Sequence, residues 1–297
     1  MENSTVDTTK TTVSLKANRT GRLQQIVKRF FSHLPLSLWS AFTIFGMLWI
    51  LVTSFKTNRE LYSSVWTLPA VIQFQNYIKA WSVVKMGDYF LNSIFVVFVS
   101  VALILIVSAP IAYVLTRIKF FGSEFLSQFI TAGMGIPYPL LFIPLFGMFA
   151  AWGWANSLFG LIVVYVSLSI PFTVFLLTGF FASLPVELEE AAALDGASPF
   201  KTFTTVILPL ASPGILTAAI FNFIGLWNEY MLALVFITDA GKRTLSLGLY
   251  ALQGSMQYTG DWVGLFAGIV IVMLPTAVLF FFLSEKMISG ITLGAVK

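Results

Sequence analysis

Long runs of apolar residues, separated by shorter polar segments, set the pattern of this chain. Six of the runs reach the length of about 20 residues that a helix needs to cross the apolar core of a bilayer. They are too long and too continuous for the strands of a membrane barrel. The predicted transmembrane helices cover residues 34–55, 89–115, 125–152, 157–182, 206–237 and 262–283.

Composition supports the same class of protein. Of the 297 residues, 58% are apolar and only 10% are charged, so the chain is too apolar for an ordinary soluble enzyme. The absence of cysteine excludes disulfides, thiolate metal sites and cysteine nucleophiles. With His33 as the single histidine, a histidine-based metal centre or catalytic triad is not expected. We therefore predict an all-α integral membrane protein that is not an enzyme and holds no metal.

The distribution of lysine and arginine predicts the topology. If the N-terminal tail is cytoplasmic, eleven of the basic residues lie on the cytoplasmic side and six on the outer side. We expect a cytoplasmic N-terminal tail over 1–33, partly disordered because its first part is polar, a six-helix domain over 34–284, and a cytoplasmic C-terminal tail over 285–297. The long polar leader argues against a cleaved signal peptide.

Proline and glycine interrupt the apolar runs. Most such prolines only kink a helix against its neighbours. The segment 133–139 (GMGIPYP) is harder to explain in this way, because glycines and prolines concentrate there. Broken helices are tolerated in a membrane where they are covered by protein or line a water-filled path. We predict that the third span is bent and lines such a path.

The segment between the fourth and fifth spans, at about 183–205, is too short and too charged to cross the membrane. Ser183 is a candidate cap for a short helix, Gly196 should end that helix, and Ser198 followed by Pro199 should begin another. One stripe of the first helix is apolar, and it consists of Leu184, Leu188, Ala191 and Ala192.

We interpret this cytoplasmic helix as one that docks into a groove of a soluble protein. The alternative is a helix that lies on the lipid surface. Its early turns carry Glu187, Glu189 and Glu190, whereas a helix on an anionic leaflet should be basic. Charge therefore favours the protein partner.

The same segment resembles the EAA loop of the permeases of binding-protein-dependent ABC importers. The match consists of Glu190, Ala191 and Ala192, then Gly196 after three residues, then 206–209 (VILP), with Val206 where isoleucine is usual. Asn92 with Ser93, the segment 227–230 (WNEY) and the C-terminal residues from Ser289 are similar to the MalG-type subunits of carbohydrate importers. The resemblance covers about residue 35 to the C-terminus.

This resemblance implies a type I ABC importer permease in a bacterial or archaeal plasma membrane. A second, MalF-like permease, two copies of a cytoplasmic ATPase and an external sugar-binding (lipo)protein would complete the transporter. ATP and magnesium would bind to the ATPase subunits, and the EAA loop would be the coupling helix that contacts them. The residues assigned to this contact are Glu187, Glu190, Ala191, Ala192, Asp195 and Gly196, and the resemblance adds the C-terminal tail with Gly290 and Gly294.

Two further groups of residues are candidates for function. Glu229 is an acid within the apolar run 206–237, and with Asn222, Trp227 and Asn228 it is a candidate for the translocation path. A purely structural hydrogen bond is an equally good explanation of Glu229. In the polar outer loop 238–261, the segment Gly254, Ser255, Met256 and Gln257 is the candidate contact for the binding protein, or else part of a plain connector.

The chain has no phosphate-binding loop, because its single Gly-Lys pair, Gly241 and Lys242, is followed by Arg243. ATP must then be hydrolysed by another polypeptide. Two other functions stay open: an ABC permease for a solute that is not a sugar, or a self-contained secondary transporter. The second would need its own coupling-ion site, for which the sequence offers one intramembrane carboxylate and no visible inverted repeat.

Overall fold

The computed structural model describes residue 31 and residues 33–295, and the regular elements of this part of the chain are all helical. The predicted N-terminal tail therefore lies almost wholly outside the described residues, as does Lys297. In chain order the helices are α1 (His33–Ser54), α2 (Asn58–Ser63), α3 (Gln75–Ile78), α4 (Met86–Arg117), α5 (Ser123–Ala132), α6 (Phe142–Ala151), α7 (Leu158–Ser183), α8 (Glu187–Leu194), α9 (Pro199–Thr202), α10 (Leu208–Leu210), α11 (Ser212–Asn228), α12 (Met231–Phe236), α13 (Leu245–Thr259) and α14 (Trp262–Ala295).

Four helices, α1, α4, α7 and α14, are each long and apolar enough to cross a membrane. Two further spans are bent pairs of helices. Ser123–Gly135 and Tyr138–Ala151 meet at 92°, and Pro199–Leu210 and Ser212–Asn228 meet at 73°. With each bent pair taken as one span the fold has the six predicted spans, and the bend predicted in the third is confirmed.

The fifth and sixth spans differ from their predicted bounds. The apolar run 206–237 is not one helix, because the chain bends at Ala211, α11 ends at Asn228 and α12 is a separate element. Hydropathy missed these breaks since the residues on both sides of each break are apolar. At the other end, α14 continues to Ala295, so helix extends through most of the segment predicted as a tail.

Local sequence accounts for where several helices begin. Thr57 and Glu60 form a reciprocal capping box at the start of α2, and the Ser157 hydroxyl accepts a hydrogen bond from the Gly160 amide at the start of α7. Pro110 lies inside the continuous helix α4. A single proline is thus compatible with an unbroken span. The two sharp bends occur where further helix-breaking residues lie close to a proline.

Helices α4 and α7 form the most extensive helix pair of the fold. At the end next to α8 their core contains Ala112, Tyr113 and Phe181, together with Phe203 and Ile207 from the π-helical turn before α10. In contrast α1 is largely exposed, with Trp39 at 71% of its accessible surface. Exposed apolar surface of this kind suits contact with lipid or with another membrane subunit.

Candidate functional site

The segment between the fourth and fifth spans folds as a helix, a glycine turn and a second helix. Gly196 has a φ of +76°, in the left-handed region that favours glycine, and it ends the turn after α8. The Ser198 hydroxyl accepts a hydrogen bond from the Lys201 amide and caps α9, with Pro199 in its first turn. The predicted end of the first helix at Gly196 and the predicted start of the second at Ser198 are both confirmed. Ser183 is not the cap of α8, because it is the last residue of α7 and its hydroxyl donates to the Phe180 carbonyl.

The two faces of α8 differ from the predicted arrangement. Leu188 packs inward against the core that contains Phe203 and Ile207, as does Leu184, which precedes the helix. Ala192 is also buried. The apolar stripe is therefore mostly an internal contact and not the docking face, although Ala191 is exposed. Sequence periodicity identified an apolar side of the helix but not what that side contacts.

The outward side of this segment carries large apolar residues that sequence analysis did not select. Leu194 is 89% exposed, Phe200 is 76% exposed and Val186 is 51% exposed. Five of the six residues assigned to the ATPase contact are exposed with them, and only Ala192 is buried: the five are Glu187, Glu190, Ala191, Asp195 and Gly196. The result is an apolar surface with acidic residues around it. We call Val186, Glu187, Glu190, Leu194 and Phe200 the α8 surface.

An ion pair fixes the inner side of α8. The Arg117 Nε lies 3.1 Å from the Glu189 Oε1, and both side chains are largely buried. Another Arg117 nitrogen, Nη2, donates to the carbonyl oxygens of Phe181 and Leu184 at the end of α7. Sequence analysis counted Arg117 only toward topology. Positions 117 and 189 are far apart in the chain, so no local pattern could pair them.

A cavity of about 610 Å³ lies beside the bend of the third span. Two breaks in helices meet there, because its lining includes Gly133 and Tyr138 from the third span and Glu229 from the junction of α11 and α12. Ser167 and Ser169 add hydroxyl groups from α7. The cavity is mainly apolar, with a few polar groups directed at it, which is the usual character of a ligand-binding or solute-conducting space.

Glu229 is not inside a helix, contrary to its predicted place in a continuous span. It follows α11, and its carboxylate accepts hydrogen bonds from the amides of Leu232, at 2.6 Å, and Ala233, at 3.2 Å, in the first turn of α12. The Tyr165 hydroxyl donates a third hydrogen bond at 2.5 Å. The carboxylate thus satisfies amides that a helix start leaves without partners, and it still borders the cavity.

The three other residues predicted for the path have different surroundings. Asn222 is buried and donates to the Thr173 hydroxyl and to the Ala218 carbonyl. Trp227 is buried and donates to the Val272 carbonyl of α14. Asn228 is exposed and donates to the carbonyl of Ile224. The structure therefore brings Glu229 to the cavity but not these three side chains.

The predicted outer loop contains a helix of fifteen residues, α13. Gly254 is exposed on it and Ser255 is partly exposed, whereas Met256 is buried in a core shared with α4 and α14. Glycines lower helix propensity, but burial of one helix face overrides that preference here. Tyr258, which sequence analysis passed over, is 89% exposed near the end of α13.

The segment before α4 is tied to the start of α14. Lys79 lies 2.5 Å from the Asp261 carboxylate, which also accepts hydrogen bonds from the Asn58 side chain and the Gly264 amide. Burial raises the pKa of Asp261, but these hydrogen bonds and the charge of Lys79 outweigh it and leave the pKa below its ordinary value. These contacts hold the outer helices in place beside α13.

The remaining predictions concern the C-terminus and metals. Gly290 and Gly294 lie in the last turns of α14 and not in an extended tail. Within residue 31 and residues 33–295, no group of three or more His, Asp or Glu side chains is arranged to hold a metal ion.

Comparison with known proteins gives one family. Residues 105–286 match the family model described as "Binding-protein-dependent transport system inner membrane component". The chain is 39% identical over 266 residues to the diacetylchitobiose uptake system permease protein NgcG of Streptomyces coelicolor, covering 90% of this chain and 88% of that protein. It is 30% identical over 279 residues to the trehalose/maltose transport system permease protein MalG of Thermococcus litoralis, covering 92% and 99%.

A solved structure shares the fold. It belongs to a bacterial ABC transporter involved in the import of the acidic polysaccharide alginate. The TM-score is 0.76 at 23% sequence identity, over 90% of this chain and 97% of that chain.

Proposed function

This chain belongs to the inner membrane components of binding-protein-dependent transport systems and is a permease subunit of an ABC importer; we propose that its cargo is a sugar or an oligosaccharide. The observation that carries the proposal is the likeness, along nine-tenths of the chain, to permeases of diacetylchitobiose and of trehalose or maltose uptake. Both relatives match across the outer and membrane segments as well as the cytoplasmic loop.

The proposed transporter contains further subunits. A second permease of the MalF type completes the pore, two copies of a cytoplasmic ATPase bind ATP and magnesium, and an external binding (lipo)protein delivers the sugar. The chain lies in the plasma membrane of a bacterium or an archaeon with both termini in the cytoplasm. The excess of lysine and arginine on that side and the lack of a phosphate-binding loop support this arrangement.

The α8 surface is the proposed contact with the ATPase. A short helix with exposed apolar residues suits a groove on a partner protein, and its acidic residues Glu187 and Glu190 suit basic groups at the edge of that groove. Closure of the ATPase dimer on ATP would move α8 as a rigid body, and hydrolysis would return it. We extend this contact to the C-terminal residues with Gly290 and Gly294.

The cavity beside the third span is the proposed part of the translocation path in this subunit. Irregular backbone at membrane depth is stable only where protein covers it or water reaches it, and here two such breaks face one space. Glu229 and the hydroxyls of Ser167 and Ser169 supply polar groups that can pair with sugar hydroxyls. Asn222 and Trp227 are proposed to hold the helices around the path, and the exposed Asn228 to lie near it.

Glu229→Gln tests this assignment. Glutamine lacks the charge and keeps one acceptor oxygen, which can take the hydrogen bonds of the Ala233 amide and the Tyr165 hydroxyl but not that of the Leu232 amide. The subunit should therefore still assemble, with some loss of stability, while transport changes. Asn222→Ala serves as the matched control, because its side chain joins α7 to α11 away from the cavity and its loss should lower stability first. Unchanged transport by a fully assembled Glu229→Gln transporter would remove Glu229 from the path.

The outer surface of α13, with Gly254, Ser255 and the exposed Tyr258, is the proposed contact for the binding protein. Tyrosine is common among the residues that dominate protein interfaces, since it combines a large apolar ring with a hydroxyl. Met256 contributes indirectly, because its buried side chain holds α13 against the core. The proposed contact also includes Gln257, because it belongs to the same turn of α13.

The decisive experiment is purification of the tagged chain in mild detergent with mass spectrometry of the co-purified proteins. The proposal expects an ATPase, a second permease and a binding protein, and the captured binding protein can then be screened against a panel of sugars. Binding of amino acids and of no sugar would contradict the proposed cargo. Uptake into proteoliposomes by this chain alone would instead favour a secondary transporter and would contradict the ATPase contact.

A further inference from the structure

Arg117 joins three elements with one side chain. It lies in the last turn of α4, it donates to two carbonyl groups at the end of α7, and it pairs with Glu189 in α8. Its side chain is 8% exposed and that of Glu189 is 20% exposed. No other salt bridge among the described residues connects α8 to a membrane-spanning helix.

The position of Arg117 suits its charge and its shape. The last carbonyl groups of a helix have no partners within it and carry the negative end of the helix dipole, so a guanidinium group stabilises the end of α7. Its several N–H groups allow it to donate to these carbonyls and to face a carboxylate at the same time. Lysine cannot do both with one ammonium group in the same geometry.

Burial makes this pair sensitive to loss of either partner. If Glu189 is neutralised, Arg117 keeps its carbonyl contacts but loses its link to α8. If Arg117 is replaced by an apolar residue, Glu189 is left partly buried without its cation, and breaking such a pair is more harmful than never having it. Leu188 of α8 packs against the core that includes Phe203 and Ile207, and the most extensive contact of α8 with another element is with the π-helical turn that contains both.

We infer that Arg117 is a positioning residue that transmits movement of α8 to the paired spans α4 and α7. This inference rests on the proposed contact between the α8 surface and the ATPase. The most extensive contact of α8 is with the π-helical turn before the fifth span, and Arg117 adds a charged link to the second and fourth spans. Because α4 and α7 form the largest helix pair, both should follow α8 when Arg117 is present.

Cysteine labelling can test the inference without knowledge of the sugar. The chain has no cysteine, so Ser167→Cys places one thiol in this chain, in the cavity lining and on an exposed residue. The full transporter is reconstituted with its partner subunits, and the rate of labelling by a membrane-impermeant biotinylated thiol reagent is measured without nucleotide and with ATP plus vanadate. The labelled chain is resolved from its partners by electrophoresis.

With Arg117 present, the labelling rate should differ between the two nucleotide states by at least about fivefold, the lower range of coupling between sites. Arg117→Met should bring the two rates within about twofold while the ATPase subunits stay bound and hydrolyse ATP. Glu189→Gln, which leaves the carbonyl contacts in place, should reduce the difference to an intermediate value. Lys119→Met is the matched control, since Lys119 is exposed two residues further along and should leave the response unchanged.

The outcomes separate this inference from the proposed function. A full nucleotide response in assembled Arg117→Met, or in Glu189→Gln where Arg117→Met does not assemble, would overturn the positioning role. Loss of response in Lys119→Met as well would also contradict it, because the effect would then follow charge in the loop and not the ion pair. If the unaltered chain binds no ATPase at all, the proposed function itself fails.

Discussion

Leu194→Ala gives the most direct test of the α8 surface. Leu194 is 89% exposed, so the substitution removes almost no contact within the subunit. Surface replacements of this kind usually change the free energy of unfolding by no more than about 0.5 kcal/mol. Alanine also favours helix, so α8 should stay folded. The thermal unfolding temperature of the purified subunit should therefore hardly change.

The effect on ATPase binding should be much larger. If Leu194 is buried in the complex, the substitution removes three carbons from an apolar contact, at about 0.8 kcal/mol each. The sum is about 2.4 kcal/mol, which corresponds to about a fiftyfold increase in Kd. A titration of the two-permease complex in nanodiscs with purified fluorescent ATPase would measure this Kd.

Leu188→Ala is the matched control, because it makes the same change on the inward side of the same helix. Leu188 packs against the core that contains Phe203 and Ile207, so this variant should lower the unfolding temperature and change ATPase affinity less than Leu194→Ala. The reasoning is refuted if Leu194→Ala binds the ATPase within about twofold of the unaltered complex, well short of the fiftyfold expected from burial. It is also refuted if Leu188→Ala is the more damaging variant for binding.

Three further outcomes are expected on the outer side. Tyr258→Ala should weaken binding of the external binding protein by at least about tenfold, measured by surface plasmon resonance on nanodiscs, without a change in ATPase affinity. Gly248→Ala should destabilise the subunit by about 1–3 kcal/mol in thermal unfolding, because an added Cβ would lie 2.2 Å from the buried Tyr89 ring. Gly254→Ala on the same helix is the control, since its Cβ would meet nothing within 4 Å and the variant should be neutral or stabilising. Because the pKa of Asp261 is lowered on folding, its charged carboxylate stabilises the subunit above the ordinary pKa of 3.8, and this stabilisation is lost as the pH falls through the lowered pKa. The difference in unfolding temperature between the unaltered chain and Asp261→Asn should therefore shrink below about pH 4.

Local signals in the sequence predicted much of the fold. The six apolar runs, the turn at Gly196 and the cap at Ser198 were all readable, since each depends on hydropathy or on a few adjacent residues. The bend of the third span was readable for the same reason. Glycine and proline at 133–139 remove donors and side-chain restraints within one short segment.

The missed features depend on contacts between distant residues. Hydropathy cannot distinguish an apolar residue that faces lipid from one that faces another helix, so it joined α11 to α12 and placed Glu229 inside a helix. It also assigned the apolar stripe of α8 to a partner, although Leu188 faces the chain's own core. The pair of Arg117 and Glu189 was invisible for a related reason, since it exists only once α4, α7 and α8 are brought together.

The division of α8 into an inner and an outer side explains how so short a helix can serve as a mechanical element. A helix of eight residues is not stable alone in water, because the cost of nucleation exceeds the gain from its few hydrogen bonds. Its inner side must therefore be held by the chain, as the packing of Leu188 and the ion pair to Arg117 hold it. Once α8 is fixed in this way, its outer side keeps Leu194 exposed for the proposed partner, and α9 does the same for Phe200. In the proposed contact with the ATPase, a force applied to those residues would act on the membrane helices and not on a loop that yields.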